Sequence, residues 1–244
     1  MNIGFYCTND YISDDTPSES LSLIPYQQTP PQDPILILSN EKRGFINKEI
    51  LKKAILKDKV ESLTHWLDIT GAHDTKVNIA SKKQPLFRAM NSAKNTSTKL
   101  VDLCAGFAND ASIFFRWGYK LTLIEQHPAI AYALKLTCKN NQVQLIEDNC
   151  QYHMHDLAQT NDIFYLDPMY HKKETSAKSQ GHAQLLQQLT ATLEDNANQL
   201  LLASLQTRIK RIVIKRPRKA PYLAQKTPTV SYTGTTTRYD VYIR

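Results

Sequence analysis

The stretch Asn161–Tyr170, N-D-I-F-Y-L-D-P-M-Y, joins an apolar run to an acid, a proline and an aromatic residue. The run Ile163–Leu166 is typical of a strand that is buried on both faces. Pro168 ends that strand because it cannot donate a backbone hydrogen bond. Asp167 is therefore predicted at the carboxyl end of a parallel strand, the edge at which open α/β sheets bind their ligands.

An acid, a proline and an aromatic at a strand end favour methylation of an exocyclic amine on a planar ring. The nitrogen of such an amine is conjugated and weakly nucleophilic, so a site must hold its N–H groups. The Asp167 carboxylate and the Pro168 carbonyl are suitable acceptors, and Tyr170 could stack on the ring. These three residues are the candidate catalytic residues. The alternative is a strand followed by an ordinary turn, since Asp-Pro is a common turn dipeptide.

Length and composition restrict the class of protein. A chain of 244 residues can form one enlarged α/β domain or a core domain with a small appendage. The first residues lack the basic start and long apolar run of a secretory signal, and no stretch approaches the ~20 apolar residues of a membrane span. These features predict a soluble, cytoplasmic protein with no membrane partner.

Cysteine and histidine spacing gives little support to a metal site. The four cysteines, Cys7, Cys104, Cys138 and Cys150, show no C-x-x-C spacing and are predicted to be reduced thiols. His153 and His155 form an H-x-H pair next to Asp156, but on a helix the two histidines point to different faces. The pattern favours a solvated helix start, and no metal is predicted.

Charge is unevenly distributed along the chain, although its formal total is +7. Residues 1–41 contain acids but no lysine or arginine, whereas no acid lies between Asp195 and Asp240. That acid-free segment holds a basic cluster. A phosphate-rich partner such as nucleic acid is favoured, against the alternative of a solvated positive face. The predicted RNA-binding residues of this cluster are Lys215, Arg216, Arg218 and Lys219.

A cofactor pattern begins at residue 99. A strand over Leu100–Cys104 leads through a turn at Gly106 into an apolar helix, and the next strand ends in the acid Glu125. This order is typical of a nucleoside-cofactor site: the glycine allows close approach, and the acid accepts hydrogen bonds from ribose hydroxyls. The G-x-G-x-x-G fingerprint for diphosphates is missing, so a phosphate-free cofactor, S-adenosylmethionine (SAM), is predicted.

Further cofactor residues follow from the predicted strand ends. A third strand, Val143–Ile146, is followed by Asp148, Asn149 and Cys150, which would lie beside the adenine of a doubly wound sheet. Asp102 and Asp110 flank the glycine turn, with helix capping as their alternative role. Asp167 belongs to the same set because its strand ends at the same edge.

The remaining elements complete an α/β fold. The predicted architecture is a Rossmann-like sheet of seven strands, parallel except for one antiparallel strand from a C-terminal hairpin, plus a small N-terminal α/β subdomain. The domains are predicted as 1–70 for the subdomain, 71–98 for a basic connector and 99–244 for the methyltransferase domain. Residues 45–69 fit either a helix or a strand. The connector carries Lys82, Lys83 and Arg88, which are predicted to bind RNA. The connector is interpreted either as a solvated segment or as a basic lid over the substrate groove.

These motifs together resemble the small-subunit (16S) ribosomal RNA guanine-N2 methyltransferases of type J. The resemblance covers residue 99 to the end and rests on five motifs: V-D-L-C-A-G-F-A-N-D (101–110), I-E-Q-H-P (124–128), Y-L-D-P-M-Y (165–170), R-I-V-I-K-R-P with A-P-Y-L-A (211–224), and R-Y-D-V-Y (238–242). It implies methyl transfer from SAM to a guanosine N2 amine, with 16S rRNA or the small ribosomal subunit as partner. A monomeric protein is predicted. The cofactor contacts that it implies are Asn109, Asp110, Glu125, Gln126, Asn149, Cys150 and Asp167.

One departure from the family pattern concerns the connector. Family members tend to carry a glycine-rich basic stretch before the first core strand, and Ala72–Asn91 keeps its basic residues but lacks the glycines. Two other functions stay open at this point: another exocyclic-amine methyltransferase acting on DNA, RNA adenine or a protein amide, and a non-catalytic RNA-binding protein.

Overall fold

The structure is a computed structural model. It describes residues 2–7, 22–25, 27, 34–38, 43–48, 51–52, 55, 57, 59, 64–69, 84–91, 97–138, 143–168, 185–186, 189–190 and 196–244.

By the contacts among its residues, the chain divides into two compact units. The first comprises Met1–Asp68, His127–Lys139 and His171–Glu194. The second comprises Ile69–Gln126, Asn140–Tyr170 and Asp195–Arg244. The domain boundaries predicted from the sequence, at residues 70 and 98, stay a prediction.

The first unit contains a five-stranded mixed sheet in the order β2-β1-β3-β4-β5. Strand β1 is parallel to β2 and β3, whereas β4 is antiparallel to β3 and β5. Ile35, Ile37, Ile46 and Leu51 form its apolar core. The ambiguous region 45–69 therefore supplies both strands and helical residues. The strand bounds are Asn2–Cys7 (β1), Ser22–Pro25 (β2), Pro34–Leu38 (β3), Arg43–Asn47 (β4) and His65–Leu67 (β5).

The second unit contains a seven-stranded sheet in the order β11-β12-β10-β9-β6-β7-β8. Strand β12 is antiparallel to both of its neighbours, while β10, β9, β6, β7 and β8 are mutually parallel. The predicted Rossmann-like sheet with one antiparallel strand from a C-terminal hairpin is thus confirmed. The bounds are Lys99–Asp102 (β6), Lys120–Ile124 (β7), Val143–Ile146 (β8), Ile163–Leu166 (β9), Arg211–Pro217 (β10), Val230–Thr233 (β11) and Thr237–Ile243 (β12).

Proline and glycine residues mark several of the helix ends. Prolines open α1 and α3, because the first turn of a helix does not need their missing N–H. Gly118, with φ 84°, follows the last turn of α2. The bounds are Pro85–Met90 (α1), Asn109–Arg116 (α2), Pro128–Thr137 (α3), Met154–Thr160 (α4) and Ala197–Gln206 (α5).

One face of the seven-stranded sheet packs against α4 and α5. Strand residues Val101, Phe164 and Ile212 share a buried apolar cluster with Ala158 of α4 and Leu200 of α5. Because side chains alternate along a strand, the next residue in each strand points to the opposite face.

Aromatic side chains cover that opposite face. Phe114 of α2 meets Tyr165 of β9 edge-on, with 4.8 Å between ring centroids. Trp117 continues the layer by meeting Phe87 of α1 at 5.2 Å. Both faces of the central strands are therefore buried, as the apolar run in β9 predicted.

Among the described residues, no helix combines the length and the apolar character that crossing a bilayer requires.

Candidate active site

The carboxyl ends of the parallel strands meet at one edge of the sheet, here called the carboxyl edge. Backbone hydrogen bonds continue past the strands and fix the segments that follow. Leu103 N donates to Tyr165 O at 2.9 Å, Ala105 N to Ile124 O at 3.1 Å, and Glu125 N to Ile146 O at 3.1 Å. The predicted strand-end residues are thereby held next to one another.

The glycine turn after β6 is fixed by an acid from β7. Gly106 adopts φ 51°, a left-handed conformation that glycine tolerates without a steric penalty. Its N–H donates to Glu125 Oε2 at 2.8 Å. Glu125 is buried, and its two carboxylate oxygens offer about four lone-pair sites, so the carboxylate can accept from a ligand as well. The sequence had placed these two residues at one cofactor site, and the structure brings them into contact.

The strongest charge contact at the carboxyl edge is made by Lys215. Its ammonium donates to Asp110 Oδ2 at 2.7 Å and to Asp167 Oδ2 at 2.8 Å. Asp110 begins α2, Asp167 follows β9 and Lys215 belongs to β10, so one cation joins three elements. The predicted RNA-binding role of Lys215 stays a prediction, and the structure gives its ammonium two carboxylate partners.

The register of β9 and β10 explains why this contact forms. Tyr165 lies opposite Val213 in the parallel pair. Asp167 and Lys215 each follow two residues later, so both side chains point to the face covered by α2. At about 4.8 Å between neighbouring strands, a lysine reaches the adjacent carboxylate.

Burial and neighbouring charges alter the proton affinity of these groups. Burial raises the pKa of Asp167 to about 6, with Lys215 opposing the rise and Asp110 adding to it. Burial also raises the pKa of Asp102 to about 8, against a hydrogen bond from Cys104 N. Burial alone would lower the pKa of Lys215, but Asp110 and Asp167 outweigh it and hold that pKa above its ordinary value.

Two tyrosines lie next to the Lys215 contact. Tyr165 is buried and its hydroxyl donates to Asp110 Oδ2 at 2.5 Å, the same oxygen that accepts from Lys215. Tyr239 of β12 lies opposite Lys215 in the antiparallel pair. Burial and the nearby carboxylates raise the pKa of both phenols, so both hydroxyls stay protonated at neutral pH.

Polar side chains in the segment after β8 form hydrogen bonds with nearby backbone groups and with a histidine. Asp148 accepts from the His153 ring at 2.8 Å, which holds the pKa of the Asp148 carboxyl below its ordinary value. Asn149 Oδ1 accepts from Gln151 N at 3.0 Å and so caps a short 3₁₀ helix. Cys150 is buried, and burial raises the pKa of its thiol to about 12.

His153 therefore has an acid as its partner, and His155 lies in helix α4. The described part of the chain contains no group of three metal-ligating side chains close enough to hold an ion. Cys104, Cys138 and Cys150 carry free thiols.

The other predicted site residues differ in exposure. Asn109 and Gln126 are exposed beside the glycine turn and the end of β7, while Pro168 is buried after β9. Tyr170, Lys82 and Lys83 lie outside the described residues. Their predicted roles in base stacking and RNA binding stay predictions.

The remaining basic residues of the predicted RNA-binding set lie in different surroundings. Arg218 and Lys219 are exposed just beyond β10. Arg88 is exposed on α1, and its guanidinium lies 4.7 Å from the centre of the Tyr232 ring. Arg216 is buried, at 6% exposure, and its Nη2 donates to Pro221 O at 2.8 Å. Only some of this set therefore presents charge directly to solvent.

Sequence reasoning missed the contacts of Lys215, Tyr165 and Tyr239 at the carboxyl edge. The signal that could have found them is period-two alternation. Alternation places Tyr165 and Asp167 on one face of their strand. It also places Val213 and Lys215 on one face of theirs. The sequence of either strand alone does not determine the register in which the two strands pair.

The chemistry of this donor set fits a cationic ligand. Asp102, Asp110 and Asp167 lie around one cation, Lys215, and Glu125 lies at the Gly106 turn, which leaves the site with an excess of carboxylates. The sulfonium and ammonium groups of SAM complement that excess, and its ribose hydroxyls can donate to an acid such as Glu125. A bound cation would also favour the ionised form of Asp102.

Comparison with known proteins also supports a SAM-binding site. The family model of the SAM-dependent methyltransferases matches residues 51–244. Ribosomal RNA small subunit methyltransferase J of Haemophilus ducreyi is 32% identical over 191 residues, which cover 73% of this chain and 75% of that protein. The chain belongs to the ribosomal RNA small subunit methyltransferase J family. The family is SAM-dependent, and the predicted family resemblance is confirmed.

Other members of the methyltransferase J family show similar identity over a shorter part of their length. The Hydrogenovibrio crunogenus protein is 34% identical over 175 residues, covering 66% of this chain and 62% of that protein. The Neisseria meningitidis protein is 36% identical over 156 residues, covering 58% of this chain and 62% of that protein. This chain thus matches about 62% of the length of these two relatives.

A solved structure extends the likeness in fold to the whole chain. A SAM-dependent methyltransferase from Neisseria gonorrhoeae aligns over 100% of this chain and 96% of its own, with a TM-score of 0.61 and 24% identity. At this identity the comparison establishes a shared fold.

Proposed function

We propose that this protein transfers a methyl group from SAM to the exocyclic N2 amine of a guanosine in 16S ribosomal RNA, within the cytoplasm and as a monomer. The observation that carries the proposal is the placement of Asp167, followed by proline, at the carboxyl edge beside the Gly106–Glu125 contact. The relatives' shared name, ribosomal RNA small subunit methyltransferase J, supports the choice of substrate.

When bound, SAM supplies an electrophilic methyl group on a sulfonium centre. The chain's own residues orient the amine. The Asp167 carboxylate and the Pro168 carbonyl accept the two N–H groups of guanine N2, which points the nitrogen lone pair away from the ring plane. Orientation of this kind can offset ~7–11 kcal/mol of the barrier.

Lys215 would keep Asp167 in the required position and charge state, and Asp110 would hold the lysine ammonium from its other side. A carboxylate that must accept an N–H has to be ionised, and the lysine ammonium favours that form. The proton released from the amine after transfer leaves to water. The chain therefore needs no strongly basic group for the reaction, and no metal enters the proposed mechanism.

The substrate class can be tested with tritium-labelled SAM. Purified protein is incubated separately with small ribosomal subunits, naked 16S rRNA, duplex DNA and a mixture of denatured proteins. We expect label in one of the two ribosomal substrates only. Label in DNA or protein would replace the proposal with another amine methyltransferase, and SAM binding without transfer to any substrate would contradict catalysis.

Glu125 should control cofactor affinity. Replacing Glu125 with alanine removes a carboxylate acceptor for ribose hydroxyls and the support of the Gly106 turn. Hydrogen bonds to charged groups contribute roughly 1.5–3 kcal/mol each, so we expect SAM to bind roughly 10- to 100-fold more weakly in a calorimetric titration. Glu147→Ala, at the exposed end of β8, is the matched control and should bind normally. Equal affinity for both variants would remove Glu125 from the cofactor site.

Arg218 and Lys219 should contribute to the salt dependence of RNA binding. Replacing both with glutamine is expected to lower the slope of log affinity against log salt by roughly one unit for each lost phosphate contact. The control replaces Arg208 and Lys120, two exposed basic residues near the opposite ends of β10 and β7. If the two double variants have the same slope as the original protein, Arg218 and Lys219 form an ordinary solvated surface.

A further inference from the structure

A cavity of about 420 Å³ lies between the first turn of α5 and the segment that follows β10. Its lining includes Asn198, Arg216, Pro221 and Tyr222. Its volume falls in the range of small-molecule pockets, which is roughly 300–1,000 Å³. None of the carboxylates of the candidate active site lines it, so the cavity is a separate feature of the carboxyl edge.

Arg216 places a fixed positive charge in the cavity wall. It is 6% exposed, and its Nη2 donates to the carbonyl of Pro221 at 2.8 Å, across the cavity lining. Arg218 and Lys219 are exposed immediately after it. Because no acid lies between Asp195 and Asp240, this segment favours an anionic ligand.

Tyr222 provides an aromatic surface, and a guanidinium lies against its ring. The Arg238 guanidinium lies 4.8 Å from the centre of the Tyr222 ring. The Nε and Nη2 atoms of that guanidinium each donate a hydrogen bond of 2.8 Å to the Asp240 carboxylate. Tyr222 nevertheless keeps 41% of its surface exposed. A rigid, partly exposed ring of this kind is suited to stacking with a nucleobase.

The backbone of the lining segment is held in an uncommon conformation. Ala224 and Gln225 both adopt positive φ, at 46° and 55°. Asn198 Oδ1 accepts from Ala224 N at 2.6 Å and ties this segment to α5. Non-glycine residues with positive φ occur preferentially at ligand-binding sites, where the surrounding structure maintains them.

The cavity and the position proposed for the target guanosine both lie at the carboxyl edge. Ile214 pairs with Leu166 in the parallel strands, so Arg216 is level with Pro168 on the neighbouring strand. The Arg216 and Asp167 side chains point to opposite faces of the sheet, so an RNA strand that reaches both would cross the carboxyl edge.

We propose that this cavity binds a nucleotide adjacent to the methylated guanosine, with its base stacked on Tyr222 and its phosphate attracted by Arg216 and Lys219. The inference rests on the proposed function, since it assumes an RNA substrate. Its consequence is that the enzyme recognises an extended single-stranded segment of RNA in addition to the target base.

The test uses Tyr222→Ala and Tyr222→Phe in the full-length protein. Loss of base stacking is expected to raise KM for the ribosomal substrate by roughly 5- to 150-fold in Tyr222→Ala, with kcat and SAM affinity within twofold. Tyr222→Phe keeps the ring and should restore the original KM. Leu202→Ala is the matched control, because Leu202 is 40% exposed on α5 and does not line the cavity.

A second measurement separates this inference from the proposed function. Binding of a fluorescein-labelled single-stranded RNA decamer is followed by anisotropy for the same variants, whose folding is checked by thermal melting. Weaker binding by Tyr222→Ala than by Leu202→Ala supports the cavity even if no methyl transfer occurs. Methyl transfer by the original protein, combined with unchanged KM and decamer affinity in Tyr222→Ala, would overturn the cavity proposal and leave the proposed function intact.

Discussion

Replacing Asp167 with alanine is expected to lower kcat for methyl transfer by at least roughly 100-fold, the usual effect of removing one preorganised polar contact in an active site. The reason is that the carboxylate holds one of the two N–H groups of the amine, whose orientation is not fixed by the Pro168 carbonyl alone. SAM affinity should change only a few-fold, because Glu125 and the Gly106 turn remain. Single-turnover kinetics with labelled SAM and a calorimetric titration measure the two quantities separately.

The chain offers a matched control for this substitution at the opposite end of the same strand. Asp162 precedes β9 and pairs with Lys210 at 3.1 Å, as Asp167 follows β9 and pairs with Lys215. Asp162→Ala should leave kcat within twofold. If Asp167→Ala also kept kcat within a few-fold, Asp167 would have no role in orienting the amine.

Replacing Lys215 with methionine should move the acidic limb of the pH–rate profile to higher pH. The pKa of Asp167 is raised to about 6, and Lys215 is the group that limits this rise. Removing its positive charge makes ionisation of Asp167 less favourable, so the pKa of Asp167 must increase further. Because Asp167 accepts its N–H group well only when it is ionised, kcat at pH 6–7 should fall more steeply than kcat at pH 9.

The pH effect distinguishes a charge role of Lys215 from a simple packing role. Lys215→Arg keeps the charge and should return the limb toward its original position. Lys210→Met removes the corresponding cation from the other ends of the strands and should leave the profile unchanged. If Lys215→Met lowers the rate at every pH but leaves the acidic limb at its original pH, Lys215 only packs against the carboxylates.

The sheet and the position of Asp167 could be predicted because both follow from local patterns. An apolar run that ends in Asp-Pro marks a buried strand and its last residue, and Pro85, Gly118 and Pro128 mark helix ends. The order of strand, glycine turn, helix and acid at Gly106 and Glu125 is equally local. These features depend on a few neighbouring residues, so one sequence is enough to recognise them.

The partners of Lys215 and Arg216 could not be predicted, because they depend on strand register and strand length. Sequence analysis assigned both residues, together with Arg218 and Lys219, to one RNA-binding surface. In the structure β10 continues to Pro217, so the alternation of side chains directs Lys215 and Arg216 to opposite faces. One then meets Asp110 and Asp167, and the other is buried against Pro221.

Asn149 illustrates a different limit of sequence reasoning. An asparagine after a strand is compatible both with a ligand contact and with capping of a following turn. Here its side chain accepts from Gln151 N. The choice between these roles depends on whether a short helix follows, and the sequence C-Q-Y does not indicate that helix clearly.

The most direct test of the account is nucleoside mass spectrometry of 16S rRNA after reaction with SAM and the purified protein. We expect one new product, N2-methylguanosine, which appears with the original protein and is absent with Asp167→Ala. A methyl group on adenine, cytosine or another guanine atom, or N2-methylguanosine formed equally well by Asp167→Ala, would contradict the claim that this carboxylate orients guanine N2 at the carboxyl edge.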